Sequence, residues 1–96
     1  MQMAASANQL YARADDIVAA DVAGEVVLLS TKSWSYFEFD RVGTSIWTLL
    51  DVPRSLPSLV EALTSDFDVD EALCRSETKA FLAKMIAEGL VTLIDE

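Results

Sequence analysis

The chain has 96 residues, of which 52% are apolar and 24% are charged. That length suits one globular domain, because two separate cores of half this size would bury too little surface. Seven basic residues against sixteen acidic ones give a net charge of −9, which disfavours nucleic acids and anionic membranes as partners, since both are themselves negatively charged.

The N-terminal segment, residues 1–14, is small and polar with no settled periodicity. We expect it to form a flexible N-terminal arm or a short packed helix, and we expect the domain proper to cover residues 15–96. No apolar run approaches the roughly 18 residues that span a bilayer, and the basic flank of a secretory signal is missing. We therefore expect a cytoplasmic protein.

Three short strands are predicted after this arm. The first two, Ile17 to Asp21 and Glu25 to Ser30, flank Ala23-Gly24, where glycine supplies the positive φ of a tight hairpin turn. Val26 to Leu29 is apolar on both faces, which predicts the central strand of a meander. The third strand, residues 34–39, follows a short connection and would lie at an edge of the sheet.

The third predicted strand has two different faces, because side chains alternate along a strand. The odd-numbered residues from Ser35 to Phe39 suit packing on a core. The even-numbered residues from Trp34 to Glu38 combine amphipathic aromatics with a carboxylate, and are either solvated or meant for a partner. An edge strand also offers unpaired backbone groups, which a protein either protects or uses to bind an extended peptide.

Three helices are predicted next, each with a recognisable start. Asp40, Ser55 and Asp70 are candidate N-caps, because their side-chain oxygens can accept hydrogen bonds from the free amides of the first turn. Apolar residues recur at helical spacing in each segment, which predicts one buried stripe per helix. Gly89 is well placed as a left-handed C-terminal cap, and Leu90 to Ile94 would end the chain as a short strand or wing.

This order of elements predicts an α+β fold, with a three-stranded antiparallel sheet followed by three helices and a short C-terminal strand. The end of the chain is winged-helix-turn-helix-like, so a DNA-binding regulator is one alternative function. The would-be recognition helix, residues 70–88, has three basic and four acidic residues, which argues against phosphate binding. A dimerising adaptor, a homodimer paired through the same open edge, is another alternative.

Catalytic chemistry finds little support in the residues. The chain has no His, which removes the usual zinc, haem and Ser-His-Asp sites. Cys74, the one cysteine, is more typical of a core position than of a nucleophile. The three glycines are isolated, so no phosphate-binding loop is present, and the acidic stretch Asp66 to Glu71 lacks the pattern of a calcium loop. We therefore expect no enzyme activity, no metal and no cofactor.

Two motifs carry a family resemblance. The first is the strand followed by Asp40-x-x-Gly43-x-x-Ile46-Trp47, and the second runs from Phe81-Leu82 to Gly89-Leu90. Together they resemble the PqqD-like family of recognition elements, which serve ribosomally made and modified peptides. The resemblance covers about residues 16–94. Within that family, the chain is most similar to the discrete leader-binding protein of lasso peptide clusters.

The resemblance implies a non-catalytic binding module for the leader segment of a precursor peptide. The leader would add as an antiparallel strand to the third strand and lie in a groove against the third helix. The bound precursor would then be presented to a separate leader peptidase and macrocyclase. Carried over to this chain, the resemblance implies the following peptide-binding residues: Ser33, Trp34, Ser35, Tyr36, Phe37, Glu38, Phe39, Cys74, Arg75, Thr78 and Leu82.

Overall fold

A computed structural model describes residues 9–95. Within them lie five strands and three helices, in the order β1 (Gln9–Arg13), β2 (Ile17–Val22), β3 (Glu25–Ser30), β4 (Tyr36–Glu38), α1 (Arg41–Leu49), α2 (Leu56–Asp66), α3 (Glu71–Ala87) and β5 (Val91–Asp95). Strands β2, β3 and β4 form an antiparallel sheet with β3 in the centre, and β1 pairs with β5. The predicted α+β fold, with its three-stranded sheet, three helices and C-terminal strand, is confirmed.

The N-terminal segment differs from the prediction of a flexible arm over residues 1–14, because residues 9–13 form β1. This strand runs antiparallel to β5, and Tyr11 exchanges backbone hydrogen bonds of 2.7 and 3.0 Å with Arg54. The sequence of β1 has no strong alternation of apolar and polar residues. It forms a strand because it pairs with β5, at the opposite end of the chain. Residues 1–8 lie outside the described residues, and the domain boundary at residue 14 stays a prediction.

The predicted helix starts are all present. Asp40, Ser55 and Asp70 each accept a hydrogen bond from the backbone amide three residues further on, at 2.9, 3.2 and 3.0 Å. Gly89, with a φ of +78°, follows α3 in the left-handed conformation. Because these residues satisfy backbone groups that a helix end leaves free, they fix where each helix begins and ends.

The turn from β4 into α1 depends on a close approach at Gly43. A Cβ atom at this position would lie 3.1 Å from the Cβ of Phe39 and 3.3 Å from Oδ1 of Asp40. Both are tighter than ordinary contacts, so a larger residue would push Phe39 or the cap of α1 out of place. The Asp-x-x-Gly spacing therefore has a physical reason: the Asp caps the helix, and the Gly leaves room for the residue before the Asp.

The core lies between the sheet and the three helices. Leu28 of β3, Leu59 of α2 and Leu82 of α3 have no exposed surface, and each such side chain contributes about 1.5–3 kcal/mol on burial. Phe39, directly after β4, packs against Phe81 of α3 with ring centroids 5.3 Å apart. This contact attaches the edge strand to α3.

The β2–β3 turn yields a stability prediction. Ala23 and Gly24 have φ values of +56° and +87°, as in the two-residue turns that favour Asn-Gly. Ala23→Asn should raise the free energy of unfolding by about 0.5–1 kcal/mol, because Asn adopts this conformation at lower cost. Gly24→Ala should lower it by about 1–2 kcal/mol. Urea unfolding followed by Trp fluorescence measures both, and equal stabilities would contradict the turn geometry.

Candidate functional site

Strand β4 is one edge of the three-stranded sheet, and within residues 9–95 no strand lies on its outer side. On its inner side, Phe37 is in register with Leu28 of β3. Ser35 and Phe39, two residues before and after Phe37, make backbone hydrogen bonds of 2.9 and 3.0 Å to β3. Bonded positions alternate in an antiparallel pair, so the odd-numbered residues are the ones that bond to β3.

Tyr36 and Glu38 alternate with these bonded residues, so their amides and carbonyls point away from the sheet. The segment from Tyr36 to Glu38 contains no proline or lysine, two residue types that commonly protect an exposed edge. Each outward residue can exchange both of its backbone hydrogen bonds with one residue of an added antiparallel strand. The edge is therefore competent for strand addition.

A groove of about 470 Å³ lies beside this edge, between β4 and α3. Phe37 and Phe39 line its strand side, and Phe81, Lys84 and Met85 line its helix side. Phe37 and Phe81 are half-buried, whereas Phe39 and Met85 are almost fully buried. An extended segment on the β4 edge would place every second side chain over this apolar floor.

A second cavity, of about 310 Å³, opens among α1, α2 and α3. It shares Asp40 and Phe81 with the groove, so the two spaces adjoin. Cys74 and Thr78 form part of its wall, with Cys74 Sγ and Thr78 Oγ1 3.9 Å apart. Val42 at its rim is 44% exposed, which leaves an apolar side chain accessible to a ligand.

The structure brings together only part of the predicted site. Residues 36–39 line the groove, whereas Cys74 and Thr78 line the adjoining cavity. Arg75 is exposed and lines neither space. Leu82 has no exposed surface, so it belongs to the core. Helical spacing alone does not distinguish core positions from groove positions on α3. One side of the helix packs on the core, and the adjacent side borders the groove.

Four residues that line the groove were not among the predicted peptide-binding residues: Asp40 on the strand side, and Phe81, Lys84 and Met85 on the helix side. Phe81 and Met85 belong to the apolar stripe predicted for the third helix, and Lys84 is one of the three basic residues counted on it. The signal that links these three helix residues is their i, i+3, i+4 spacing, which places all three on one side of a helix. The Phe39–Phe81 contact identifies that side as the one facing β4.

The predicted strand begins two residues too early. Ser33, Trp34 and Ser35 lie in the connection before β4, which starts at Tyr36. Trp34 has a φ of +58° and donates its amide to the carbonyl of Ser30 at 2.8 Å. A residue in the left-handed region cannot continue the ladder, so the strand starts after it. Trp34 as a whole residue nevertheless remains 72% exposed.

The exposed face of β4 carries Tyr36 and Glu38 side by side. Partial desolvation of the phenol and the neighbouring Glu38 carboxylate raise the pKa of Tyr36 above its ordinary value of 10.0. Tyr36 is therefore a neutral hydrogen-bond donor at physiological pH.

Metal and membrane sites find no support in the described part of the chain. No three His, Cys, Asp or Glu side chains of residues 9–95 lie close enough together to hold a metal ion. The helices in the same range are too short or too polar to cross a membrane.

The burial of Leu82 yields a second stability prediction. Leu82→Ala should lower the free energy of unfolding by about 2–5 kcal/mol, because it leaves a cavity in the core. Arg75→Ala, a change at an exposed position of the same helix, should alter it by less than about 0.5 kcal/mol. Urea unfolding measures both, and a Leu82→Ala variant as stable as Arg75→Ala would contradict the burial.

The Tyr36–Glu38 pair yields a titration prediction. Glu38→Gln removes the negative charge, so the pKa of Tyr36 should fall toward 10.0, since deprotonation no longer places two negative charges side by side. Carbon-13 NMR of labelled tyrosine follows the phenol directly. Glu61→Gln, on the surface of α2, changes the net charge equally and should leave the Tyr36 titration unchanged.

The family comparison covers the elements that form this site. The model of the family described as "Coenzyme PQQ synthesis protein D (PqqD)" matches residues 25–91. That range runs from β3 to the first residue of β5 and includes β4, α3 and the groove between them. No curated relative matches the chain.

Two solved structures are similar to this chain. "TbiB1 in Complex with the TbiA(beta) Leader Peptide" is 30% identical with a TM-score of 0.79, covering 83% of this chain and 93% of that one. "Lasso peptide synthetase B1 complexed with the leader peptide" is 22% identical with a TM-score of 0.72, covering 85% and 96%, and shows the shared fold. The family match over residues 25–91 and the likeness to TbiB1 confirm the resemblance drawn from the motifs: the chain belongs to the PqqD family.

Proposed function

We propose that this protein binds the leader segment of a precursor peptide by adding it as a strand to the edge of β4. The observation that carries the proposal is the pair of outward-pointing residues, Tyr36 and Glu38, beside an apolar groove on α3. Backbone hydrogen bonds to the edge tolerate many sequences, and the groove selects the side chains. Membership of the PqqD family and two similar structures, both complexes with leader peptides, support the proposal.

The energetics indicate which contacts decide the affinity. A micromolar Kd requires a net binding free energy of about −8 kcal/mol. The backbone hydrogen bonds of a short added strand contribute about 0.5–1.5 kcal/mol each, which ordering the peptide backbone offsets at about 1–2 kcal/mol per residue. Apolar side chains buried in the groove contribute about 1.5–3 kcal/mol each. The affinity therefore depends on a few side chains anchored beside Phe37 and Phe81.

We further propose that binding serves delivery, with no catalytic step carried out by this protein itself. The peptide would occupy one edge of the sheet and leave the outer face of the sheet open. On that face, Val18 and Val22 of β2 are 56% and 57% exposed. A separate leader peptidase and macrocyclase would then have access both to the bound precursor and to an apolar surface of the carrier.

The DNA-binding alternative gains no support from α3. Its exposed side chains include Arg75 and Lys79, but also Glu71 and Glu77, and phosphate binding needs a surface of one sign. Lys84, the remaining basic residue, lines the groove beside β4. The dimeric alternative uses the same β4 edge as the peptide, so a dimer paired there would dissociate when the peptide binds.

Titration with the leader segment of a lasso peptide precursor tests the proposal. Trp fluorescence or calorimetry should show saturable binding with a micromolar or lower Kd. Tyr36→Pro should abolish that binding while it spares the β3–β4 ladder, because it removes an amide that points outward. Tyr36→Ala keeps the amide, is the matched control, and should still bind the leader.

Phe37→Pro is a second control variant. It removes an amide that bonds to β3, so it should also lower the free energy of unfolding. Circular dichroism separates this loss of fold from the loss of binding expected for Tyr36→Pro. Equal binding by Tyr36→Pro and Tyr36→Ala would contradict strand addition. So would a wild-type protein that does not saturate below about 100 μM, where the binding free energy is only about −5.5 kcal/mol.

A further inference from the structure

We propose that the outward side chains of β4 select a three-residue pattern in the leader. The leader residue opposite Glu38 is Lys or Arg, the next residue is apolar and enters the groove, and the third, opposite Tyr36, is aromatic or β-branched. This inference rests on the proposed function, because it describes the peptide that strand addition would bring to the edge.

The order of the pattern follows from the direction of the added strand. An antiparallel strand runs opposite to β4, so it passes Glu38 first and Tyr36 two residues later. Side chains directly opposite each other lie on the same face, with Cβ atoms about 4.5–5.5 Å apart. The first and third peptide residues therefore lie on the outer face, and the residue between them, opposite Phe37, points toward Phe81 and Met85 in the groove.

The charge of the first residue follows from the surroundings of Glu38. Among residues 9–95, the one ion pair joins Lys32 to Asp16 at 3.5 Å, so Glu38 has no basic partner in this part of the chain. Lys84 lines the same groove without forming an ion pair with it. An acidic peptide residue opposite Glu38 would be repelled, whereas a basic one forms a favourable cross-strand pair. The net charge of −9 also attracts a basic peptide over longer distances.

The character of the third residue follows from a row of side chains across the sheet. Val18, Leu29 and Tyr36 are registered neighbours on β2, β3 and β4, and they share the outer face. Val18 and Tyr36 are 56% and 61% exposed, so both side chains of this row are accessible to a partner. An added strand extends the row by one position beside Tyr36, where aromatic and β-branched partners pair best.

Selection from a displayed library of random twelve-residue peptides tests the pattern, with the library itself as the probe. On the wild-type protein, Lys or Arg should be enriched two residues before an aromatic or β-branched residue. On Glu38→Lys, Asp or Glu should replace them at the same position. Reversing that charge in a selected peptide should change its affinity by about two- to fivefold, as for a cross-strand ion pair. Glu61→Lys, outside the groove on α2, makes the same change in net charge and should keep the basic preference.

Glu38→Gln is a second variant, which should lose the charge preference without reversing it. If Glu38→Lys selects the same charge as the wild type, or if Glu61→Lys also reverses the preference, the pattern is wrong. Strand addition still stands in that case provided that Tyr36→Pro loses the selected peptides. If Tyr36→Pro keeps them, or if the wild-type protein enriches no peptide, the proposed function fails and the pattern fails with it.

Discussion

The position of Phe39 determines where the edge strand lies. Its ring packs against Phe81 at 5.3 Å and Trp47 at 6.4 Å, and its amide bonds to β3. The next residue, Asp40, caps α1, and Gly43 leaves the space that Phe39 fills. One buried aromatic residue therefore couples the sheet to two helices, and the groove exists because this coupling holds β4 at a fixed distance from α3.

An open edge beside an apolar groove carries a risk, because the same backbone groups that accept a peptide also accept another chain. Here β4 is only three residues long, Tyr36–Glu38, and Trp34 before it turns out of the ladder with a φ of +58°. A short edge limits unspecific pairing, since few backbone hydrogen bonds can form. Specificity then depends on the side chains on both faces of the added strand. One face of β4 carries Tyr36 and Glu38, and the other borders the apolar groove.

Local patterns predicted most of the fold correctly. Hairpin turn, helix caps and helix stripes each depend on residues a few positions apart, as with Asp40 and Gly43. The strand over residues 9–13 escaped prediction because β5, its partner, is remote in sequence. The helix side of the site was predicted less well, since Phe81 and Leu82 are adjacent and apolar, yet Phe81 borders the groove and Leu82 is fully buried. Only the contact of Phe81 with Phe39 distinguishes them.

The pairing of β1 with β5 has a consequence for how this domain can be engineered. Gln9 and Asp95 are register partners, so the two ends of the described chain lie side by side, on elements other than β4 and α3, which form the groove. Domains whose ends lie close together tolerate circular permutation and insertion into a host protein. A short linker would join these ends, and the Ala23-Gly24 turn provides an exposed place for new ones, so the recognition module is portable as a unit.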